Sequence, residues 1–482
     1  MDKIFSQSPD MKKEYCCTVV RIGEILPIEG KDVIGQTLVN GFPVVVRKDQ
    51  VHEGDLMFYA KMECQLHAEF CWANNLYDNP EMNRDKTQKG YFNKYGRVRI
   101  VRLGGVPSMG YLFTAQEMLN FMTSVGIYGG FAMEELLDVE FDTVGDRLFV
   151  KPFVPSIKES TPAGQGKGTK RNKRLLKFDR MIPGEFAFHY DTNQFNDNVR
   201  RFSPNDQVSI TVKLHGCSAI IGNIRVREPK YKSGFFGKLY TGLFGYLPKF
   251  LQFVVKKFDY VYSTRSVIIN QDINPHDTGS GYAGGLVQRE VERYGEMFKK
   301  YNILPEGTTI YGEVVGYYTG TSIPIQKMCD AYDYGCDHGE NKLMIYRIVS
   351  EDPYGDKYEW NVPEIQSWTE HIKDIHPEIA ENIHTIDVLY VGALRDLYPD
   401  LDTEKHWHQN LLARMKNESR WYMEQNEPMC KHAVPREGVV IRKINDPIKE
   451  AFKLKTLKFS FKEAKKIDKG EVDIEMKQGY TE

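Results

Sequence analysis

A lysine at the end of a core-type strand is the feature that most constrains this chain. The stretch SITVKLHGCSAIIGNI spans residues 209–224, and its first half alternates polar and apolar residues like a half-buried strand. Successive side chains of a strand point to opposite faces, so Lys213 shares a face with Ser209 and Thr211. The apolar set on the other face is Val208, Ile210, Val212 and Leu214. Taken alone, Lys213 is a residue that faces water, and only the rest of the chain can favour a chemical role.

The first third of the chain reads as short strands joined by tight turns. Between Cys17 and Phe113, the pair Asn40–Gly41 is a hairpin signal that separates two strand-like runs. The run GRVRIVRLGG repeats the β character, and Ala115–Ser124 has the pattern of a helix. Short strands with tight turns predict a small barrel or sandwich.

A change of composition separates this region from the rest. Residues 156–177 are rich in Gly, Ser, Thr, Lys and Arg without an apolar period, which predicts an interdomain linker. Its basic residues indicate either a solvated linker or an arm that contacts phosphates. The basic cluster, within it and just after its end, consists of Lys167, Lys170, Arg171, Lys173, Arg174, Lys177 and Arg180.

The remainder of the chain, from Ile182, reads as mixed α and β without an internal repeat. The predicted strands are Val208–Leu214, Tyr260–Asn270, Thr309–Tyr317, Lys342–Val349, Gly438–Arg442 and Ala451–Phe461. The predicted helices are Tyr282–Tyr301 and Lys405–Gln425. Residues 233–258 are both aromatic and basic, and they favour an inserted hairpin or helix pair over a membrane-surface helix, because Pro248 and several glycines interrupt them.

Composition excludes some classes of protein. The chain has 482 residues, of which 41% are hydrophobic, enough for two or three domains. It has no charge-free apolar run of spanning length and no secretory signal in MDKIFSQSPDMKKEY, so we expect a cytoplasmic protein without membrane contact. The net charge of −2 leaves nucleic-acid binding open, because the basic residues cluster.

The 8 cysteines are expected to be reduced thiols rather than metal ligands. Zinc is the weaker alternative, because no CxxC occurs among the candidate ligands. Those candidates are Cys329, Cys336 and His338 in one group, and Cys430 with His432 in another.

Charged and aromatic residues recur inside other strand-like segments, where a plain core would not place them. Lys453 and Lys455 are two apart on a strand, so their ammonium groups point the same way, and this is costly unless an anion lies between them. The other such residues are Arg265, Glu313, Tyr346 and Glu437. Together they predict a triphosphate and metal site with Lys213 as nucleophile. A lysine attacks only when it is deprotonated, and we expect burial and the two neighbouring lysines to lower the pKa of Lys213.

These segments resemble the motifs of the covalent nucleotidyltransferase superfamily, which contains ATP-dependent ligases and mRNA capping enzymes. Lys213-Leu214-His215-Gly216 looks like its nucleotidyl-lysine motif KxxG. The further elements follow in the superfamily's order: Ser263-Thr264-Arg265, Tyr311-Gly312-Glu313, KLMIYRI, Glu437-Gly438-Val439-Val440-Ile441-Arg442 and Lys453-Leu454-Lys455. KLHG, FDYVYSTRSVIIN and VPREGVVIRK look most like RNA ligases, in particular the Deinococcus-type RNA ligases with an N-terminal OB-like domain.

The resemblance implies an α+β chain: an OB-like nucleic-acid-binding barrel over residues 1–155, a basic flexible linker over 156–181, and an adenylyltransferase domain of mixed antiparallel sheets, similar to the ATP-grasp type, over 182–482. It also implies a role for each motif residue. Lys213 forms the bond to AMP, Arg265 and Glu313 contact ribose or phosphates, and Tyr346 stacks on adenine. Glu437 helps to hold Mg²⁺ or Mn²⁺, and Lys453 with Lys455 contacts the α-phosphate.

The chain departs from the family at two positions beside the nucleophile. Val212 stands where a glutamate is usual, which concerns the contacts of the adenine pocket. Ser218 stands where related ligases often have asparagine, and this predicts a protein that adenylylates itself well and seals poorly.

The function that follows is an ATP-dependent RNA ligase, expected to be a monomer. It joins a 5′-phosphate to an RNA 3′-hydroxyl at nicks in a duplex, by way of lysyl-AMP and an adenylylated 5′ end. Only 27 residues follow Lys455, fewer than the domain that capping enzymes and typical DNA ligases place there. The alternatives are a nucleic-acid-binding protein with weak or lost catalysis and a GMP-transferring protein similar to capping enzymes.

Overall fold

The computed structural model describes residues 4–154, 179–230, 251–271, 282–326 and 332–469. These residues form a mixed α and β structure, which confirms the fold class at that level. Most of the proposed linker, most of the aromatic and basic segment 233–258, and Cys329 lie outside the described residues. No helix in the described ranges is long and apolar enough to cross a membrane.

The strands, in chain order, are β1 (Phe5–Ser6), β2 (Cys17–Arg21), β3 (Leu26–Ile28), β4 (Lys31–Val39), β5 (Phe42–Arg47), β6 (Leu56–Ala60), β7 (Cys64–Leu66), β8 (Ile100–Leu103), β9 (Val106–Met109), β10 (Tyr111–Phe113), β11 (Glu140–Phe141), β12 (Thr143–Val144), β13 (Arg147–Leu148), β14 (Val150–Pro152), β15 (Asn193–Gln194), β16 (Gln207–Lys213), β17 (Cys217–Pro229), β18 (Val254–Ser263), β19 (Thr308–Gly316), β20 (Asn341–Glu351), β21 (Lys357–Glu359), β22 (Ile383–Thr385), β23 (Val388–Ala393), β24 (Gly438–Lys443) and β25 (Ala451–Lys455). The α-helices of the described residues are α1 (Ala68–Ala73), α2 (Ala115–Ser124), α3 (Phe195–Asn198), α4 (Tyr282–Lys300), α5 (Val362–Ile375), α6 (Leu394–Leu397), α7 (Trp407–Lys416) and α8 (Leu457–Asp468).

The chain divides into two compact units. The first contains residues 1–155 together with 193–202 and 404–415. The second contains residues 156–192, 203–403 and 416–482. The first unit therefore includes two short segments that the predicted domain boundary at residue 155 leaves out, because residues distant along the chain pack with it.

Small antiparallel sheets build the first unit. The predicted hairpin is present: β4 pairs with β5, and Asn40 and Gly41 between them have φ values of 49° and 73°, as a two-residue hairpin turn of type I′ requires. An aromatic core, with Phe58 and Phe113 stacked at 5.1 Å between ring centroids, lies at its centre. The strands of residues 4–154 form five separate sheets and no closed barrel, so an OB-like barrel stays a prediction.

A long antiparallel sheet carries half of the second unit. Its strand order is β18-β17-β19-β20-β21, and β22 adds to β20 in parallel. The apolar stripe of α4, including Val291 and Phe298, is buried in the same core as Ile221 and Ile345 of this sheet. Burial of each such side chain stabilises the fold by about 1.5–3 kcal/mol. The face of the sheet that packs on α4 therefore holds the sheet in place, and the opposite face is left for the site.

The second sheet of this unit contains the strand order β25-β24-β16-β23. Both of its central strands, β16 and β24, are buried along most of their length. Val212 of β16 belongs to one apolar cluster with Met344 of β20, so the two sheets of the unit contact each other near Lys213.

Two predicted strands end earlier than expected. The strand predicted for Tyr260–Asn270 ends at Ser263, whose hydroxyl donates to the Val267 carbonyl across a turn, so that Arg265 lies in this turn and not in a strand. The strand predicted for Ala451–Phe461 ends at Lys455. Thr456 then caps α8, because its hydroxyl accepts from the Phe459 amide, and such a cap satisfies a free donor at a helix start.

The helix predicted for Lys405–Gln425 is also too long. Helix α7 spans only Trp407–Lys416, and a separate 3₁₀ turn follows at Ser419–Trp421. The Glu418 side chain accepts a hydrogen bond from the Arg420 amide at the start of that turn. This local bond competes with continuation of the helix.

Candidate active site

Three adjacent strands bring the two most distant lysine motifs together. In the register of the second sheet, Lys213 of β16 lies opposite Gly438 of β24, and Gly438 lies opposite Lys455 of β25. Residues that oppose each other across antiparallel strands point to the same face. The sheet therefore places the lysine of KLHG and the second lysine of KLK in one row, although they come from opposite ends of the second unit's sequence.

Gly438 makes this row possible, because no larger residue fits there. A Cβ atom at this position would lie 2.1 Å from the Leu454 carbonyl oxygen, which is backbone and cannot rotate away. The residue also has φ of 153°, a backbone conformation that glycine adopts more readily than other residues. Because Gly438 has no side chain, the carboxylate of the preceding residue, Glu437, can lie between the two lysines.

Glu437 is the electrostatic centre of the site. One oxygen of its buried carboxylate lies 2.9 Å from Lys213 Nζ and 3.8 Å from Lys455 Nζ, and the other lies 3.5 Å from His215 Nδ1. Burial raises the pKa of Glu437, but Lys213, His215 and Lys455 together outweigh burial and hold the pKa well below its ordinary value. Glu437 is therefore ionised at neutral pH.

The pKa of Lys213 moves in the opposite direction to the one predicted from the sequence. Burial lowers it, as expected, and so does Lys455. The attraction of Glu437, with a smaller contribution from Glu313, is stronger, and the net pKa is raised. The prediction was wrong because it placed the lysines beside Lys213 and did not place a carboxylate in contact with it. In this state Lys213 is a protonated lysine.

Lys455 is held by a second carboxylate, which the sequence did not indicate. Its Nζ lies 2.9 and 3.0 Å from the two oxygens of Glu463 on α8. Lys453, two residues earlier on β25, lies opposite Val440 and so occupies the same face one row away from Lys455. The structure thus places Lys453 and Lys455 on one face, as predicted.

Glu313 and Ser218 come from the other sheet of the unit. They are directly opposed in the register of β19 and β17, and Ser218 Oγ lies 3.5 Å from Glu313 Oε1. A serine in the place of asparagine therefore contacts the motif glutamate. Gly312 precedes Glu313 at an irregularity in the β19–β20 ladder, and a Cβ there would lie 2.8 Å from the Leu343 side chain.

Two residues to which the sequence analysis gave no role, His189 and Arg442, contact the side chain of Tyr346. Its hydroxyl lies 3.1 Å from His189 Nδ1, and its ring centre lies 5.6 Å from the guanidinium carbon of Arg442. Arg442 in turn donates to the Thr211 hydroxyl of the neighbouring strand β16 at 3.1 Å. Because Tyr346 belongs to β20 and Arg442 to β24, the contact between these two residues joins the two sheets. The contacts with His189 and Arg442 restrict the orientation of the Tyr346 ring.

Arg265 lies at the edge of the site in an exposed ion pair. Its guanidinium is 3.4 Å from Asp191 Oδ1, a contact of small energetic weight at this exposure. His189 and Asp191 belong to one short segment, in which Tyr190 packs on Tyr311 and on Arg347. This segment, defined here as the FHYD segment (residues 188–191), thus contacts three of the predicted motifs.

The aromatic composition of FAFHYD was the one signal that marked this segment in the sequence. It lies upstream of KLHG, where no periodic strand or helix pattern identifies a partner. His215 had a clearer signal, since it lies within KLHG itself. Arg442 ends the VVIR strand run, and its position beside Tyr346 depends on how the two sheets pack.

Three buried cations surround a single carboxylate next to Arg442. Glu359 lies 3.0 Å from Arg347 Nε and 3.9 Å from Arg442 Nε, and it accepts from the Lys449 amide at 3.0 Å. Burial and the neighbouring Arg347 lower the pKa of Arg442 to about 10, although Glu359 opposes the shift. The cluster combines three cationic side chains with one carboxylate, so its net charge is positive. Arg442 connects it to the ring of Tyr346.

The donor set fits a hydrated divalent cation and does not fit an all-protein cage. Within the described ranges no three His, Cys, Asp or Glu side chains are grouped closely enough to hold a metal ion. Glu437 Oε2, however, is buried and accepts no well-formed hydrogen bond from the described residues. Mg²⁺ and Mn²⁺ sites of enzymes that act on phosphates use one or two carboxylates, several waters and the substrate itself. Glu437 supplies such a carboxylate.

Comparison with known proteins identifies the fold. No protein-family model matches the sequence, and no curated protein matches it. Among solved structures, the chain is similar to a mutant of the Naegleria gruberi RNA ligase with AMP and Mn, at TM-score 0.50 and 16% identity over 93% of this chain and 98% of that one. It is also similar to another mutant of that ligase with ATP and Mn, at TM-score 0.50 and 15% identity over 92% and 98%. The chain shares the overall fold of this RNA ligase.

Proposed function

We propose that this chain is an ATP-dependent RNA ligase of the covalent nucleotidyltransferase superfamily. The observation that carries the proposal is the contact of Glu437, the residue just before β24, with Lys213 of β16 and with Lys455 of β25. The proposed nucleophile therefore lies beside a carboxylate that contacts its ammonium group and near a cation for the developing phosphate charge. The shared fold supports the same conclusion, as does the order of the motifs.

In the first step, Lys213 Nζ attacks the α-phosphorus of ATP. Lys213 attacks as the neutral amine after its ammonium proton has passed to solvent. The P–N bond forms while the bond to the bridging oxygen of pyrophosphate breaks, pyrophosphate leaves, and the remaining excess proton of the nitrogen also passes to solvent. Lys455 and Lys453 lie on the face of the sheet that carries the nucleophile, where their ammonium groups stabilise negative charge on the phosphate during attack. Glu463 orients Lys455 through its two contacts.

The raised pKa of Lys213 means that this attack requires a change at Glu437. The attraction of Glu437 holds the proton on Lys213 until the carboxylate is neutralised or turned away. Glu437 would hold the divalent cation, which would neutralise the carboxylate and supply countercharge for the phosphates. With the carboxylate engaged elsewhere, burial and Lys455 remain as the influences that lower the lysine pKa.

Tyr346 is proposed as the base-stacking residue for adenine, with its ring held by Arg442 and its hydroxyl by His189. Arg265 and Glu313 are proposed to contact the ribose or the phosphates. Arg265 is partly exposed, with 36% of its side chain accessible, so it is available to a ligand once it leaves Asp191.

The later steps transfer AMP from Lys213 to a 5′-phosphate and then join that end to an RNA 3′-hydroxyl with release of AMP. We propose a nick in a duplex as the substrate, a Deinococcus-type arrangement with a nucleic-acid-binding N-terminal domain, and a monomeric enzyme. Ser218, which contacts Glu313, is the residue that we expect to limit the final sealing step.

The experiment is incubation with α-labelled ATP or α-labelled GTP and Mg²⁺ or Mn²⁺, followed by addition of a 5′-phosphorylated strand splinted beside an RNA 3′-hydroxyl. The proposal expects label on the protein from ATP alone, and a joined strand afterwards. Lys213→Ala should lose both, whereas Lys256→Ala, an exposed strand lysine of the same unit, should keep both. Label from GTP alone would favour a capping-type activity, and no label from either nucleotide would favour a binding protein without catalysis.

A further inference from the structure

Side chains from outside β16 and β17 hold the loop that carries KLHG. The buried amide of His215 donates to the hydroxyl of Tyr334 at 2.7 Å, and the buried carbonyl of Gly216 accepts from the side-chain amide of Gln326 at 3.2 Å. A buried backbone donor that loses its partner is costly, because no water replaces the bond. Tyr334 therefore fixes the loop two residues after Lys213.

Tyr332, of the same short segment, holds the chain that leads to the carboxylate. Its hydroxyl donates to the carbonyl of Pro435 at 2.6 Å, two residues before Glu437. We define residues 332–334 as the YDY segment. This segment bonds to the loop after Lys213 through one tyrosine and to the chain before Glu437 through the other, and the ammonium and carboxylate groups of those two residues lie 2.9 Å apart.

Several contacts hold the YDY segment itself in place. Asp333, between the two tyrosines, is buried and accepts from the amide of Lys431 at 2.9 Å. The ring of Tyr332 packs on the ring of His215 at 5.0 Å between centroids. Tyr334 has φ of 45°, which is unfavourable for a residue with a side chain and persists only where surrounding contacts impose it. The segment is thus a fixed support for the two parts of the site that it joins.

We propose that Tyr334 and Tyr332 are positioning residues for the reaction of Lys213 with ATP, because the YDY segment sets where the amine lies relative to Glu437. The inference deepens the proposed ligase function and rests on it for the identity of the reaction. Neither tyrosine belongs to the motifs of the resemblance, and both act through the backbone that they hold. A misplacement of a reacting group by about 1 Å can lower a rate about 100-fold, so a loosened loop should slow attack without altering the contacts proposed for ATP.

The experiment measures the rate of labelling from α-labelled ATP in a single turnover, over a range of ATP concentrations. Tyr334→Phe removes the acceptor of the His215 amide and keeps the ring. It should lower the maximal rate about 10- to 100-fold and leave the half-saturating ATP concentration unchanged. Tyr332→Phe should lower the maximal rate in the same way, and it decides the question if Tyr334→Phe does not fold.

The matched control is Tyr260→Phe. The Tyr260 hydroxyl also accepts from a buried backbone amide, that of Leu304 at 2.9 Å, but it lies in the core that packs on α4. The control variant loses the same kind of bond, so it should show a similar fall in melting temperature to Tyr334→Phe and keep the labelling rate of the unaltered protein. An equal loss of rate in both variants would assign Tyr334 a structural role only and overturn the proposal.

Hydrogen exchange of the same proteins reads the contact without ATP. Amides of residues 214–217 should exchange faster in Tyr334→Phe than in the unaltered protein and at an unchanged rate in Tyr260→Phe. Unchanged exchange in Tyr334→Phe would overturn the proposal, as would a higher half-saturating ATP concentration at an unchanged maximal rate. Absence of labelling in the unaltered protein would instead overturn the ligase function, and the exchange comparison would still decide whether the YDY segment holds the loop.

Discussion

Replacement of Glu437 by glutamine tests the electrostatics of the site most sharply. The carboxylate lies 2.9 Å from Lys213 Nζ, and at an effective dielectric constant of about 20 opposite unit charges at this separation attract by about 6 kcal/mol. About a quarter of the Lys213 side chain is exposed, with 24% accessible, so solvent screens part of the attraction. We take a third of this attraction, about 2 kcal/mol, as the net free energy by which Glu437 favours the protonated form of Lys213. Its loss corresponds to an increase of about 30-fold in the neutral fraction of the lysine.

The expected result is therefore a gain and a loss in the same variant. Glu437→Gln should increase the rate at which trinitrobenzenesulfonate modifies Lys213 at about pH 8 by about 30-fold, because more of the amine is neutral. ATP-dependent labelling of Lys213 should fall, because the variant lacks the carboxylate proposed for the metal. Peptide mass spectrometry reads the modification at Lys213, with the exposed Lys256 as internal control. Equal modification rates of Lys213 in the two proteins would refute the reasoning.

The pH dependence of stability supplies an independent check on the same residue. Glu437 has a pKa that is lowered on folding, so its ionised form stabilises the fold above the unfolded-state pKa of about 4.3. This contribution is lost as the pH falls below that value. Glu437→Gln should show a weaker loss of unfolding free energy between about pH 5 and about pH 3 than the unaltered protein. An identical acid dependence in urea unfolding would mean that Glu437 is not ion-paired in the folded state.

Three further substitutions test the framework of the site. Gly438→Ala places a Cβ 2.1 Å from the Leu454 carbonyl oxygen, so we expect a loss of more than about 2 kcal/mol in urea unfolding together with loss of nucleotide labelling; full activity would contradict the close approach. His189→Phe removes the hydrogen bond to the Tyr346 hydroxyl, worth about 1 kcal/mol, and should raise the KM for ATP about fivefold with little change in melting temperature; an unchanged KM would remove His189 from the site. Glu359→Gln leaves the surrounding buried cations without their shared carboxylate and should cost about 3–5 kcal/mol of unfolding free energy; a melting temperature equal to that of the unaltered protein would show that the cluster does not depend on this charge.

Local patterns in the sequence predicted the elements that depend on local interactions. Helix α2 has the predicted bounds Ala115–Ser124, because Thr114 and Glu117 form a capping box at its start. The hairpin at Asn40–Gly41 and the strand that carries Lys213 were also predicted. Each of these features is decided by residues within a few positions of one another.

Interactions between distant segments decided what the sequence did not predict. Glu437 reaches Lys213 only through the register of β24 on β16, so the direction of the lysine pKa shift was not readable from KLHG or KLK. His189 and Asp191 come from a segment without a regular pattern, and their partners, Tyr346 and Arg265, come from far along the chain. The early end of β25 was missed because Thr456 reads equally well as a strand residue and as a helix cap.

Peptide mapping of the protein after incubation with ATP and Mn²⁺ tests the central claim most directly. The account predicts one covalent AMP, attached through an acid-labile and base-stable bond to Lys213, and a reversal of the adduct by added pyrophosphate. The adduct should be absent from Lys213→Ala and present in Lys256→Ala. AMP attached to any other residue, or its persistence in Lys213→Ala, would contradict the assignment of Lys213 as the nucleophile.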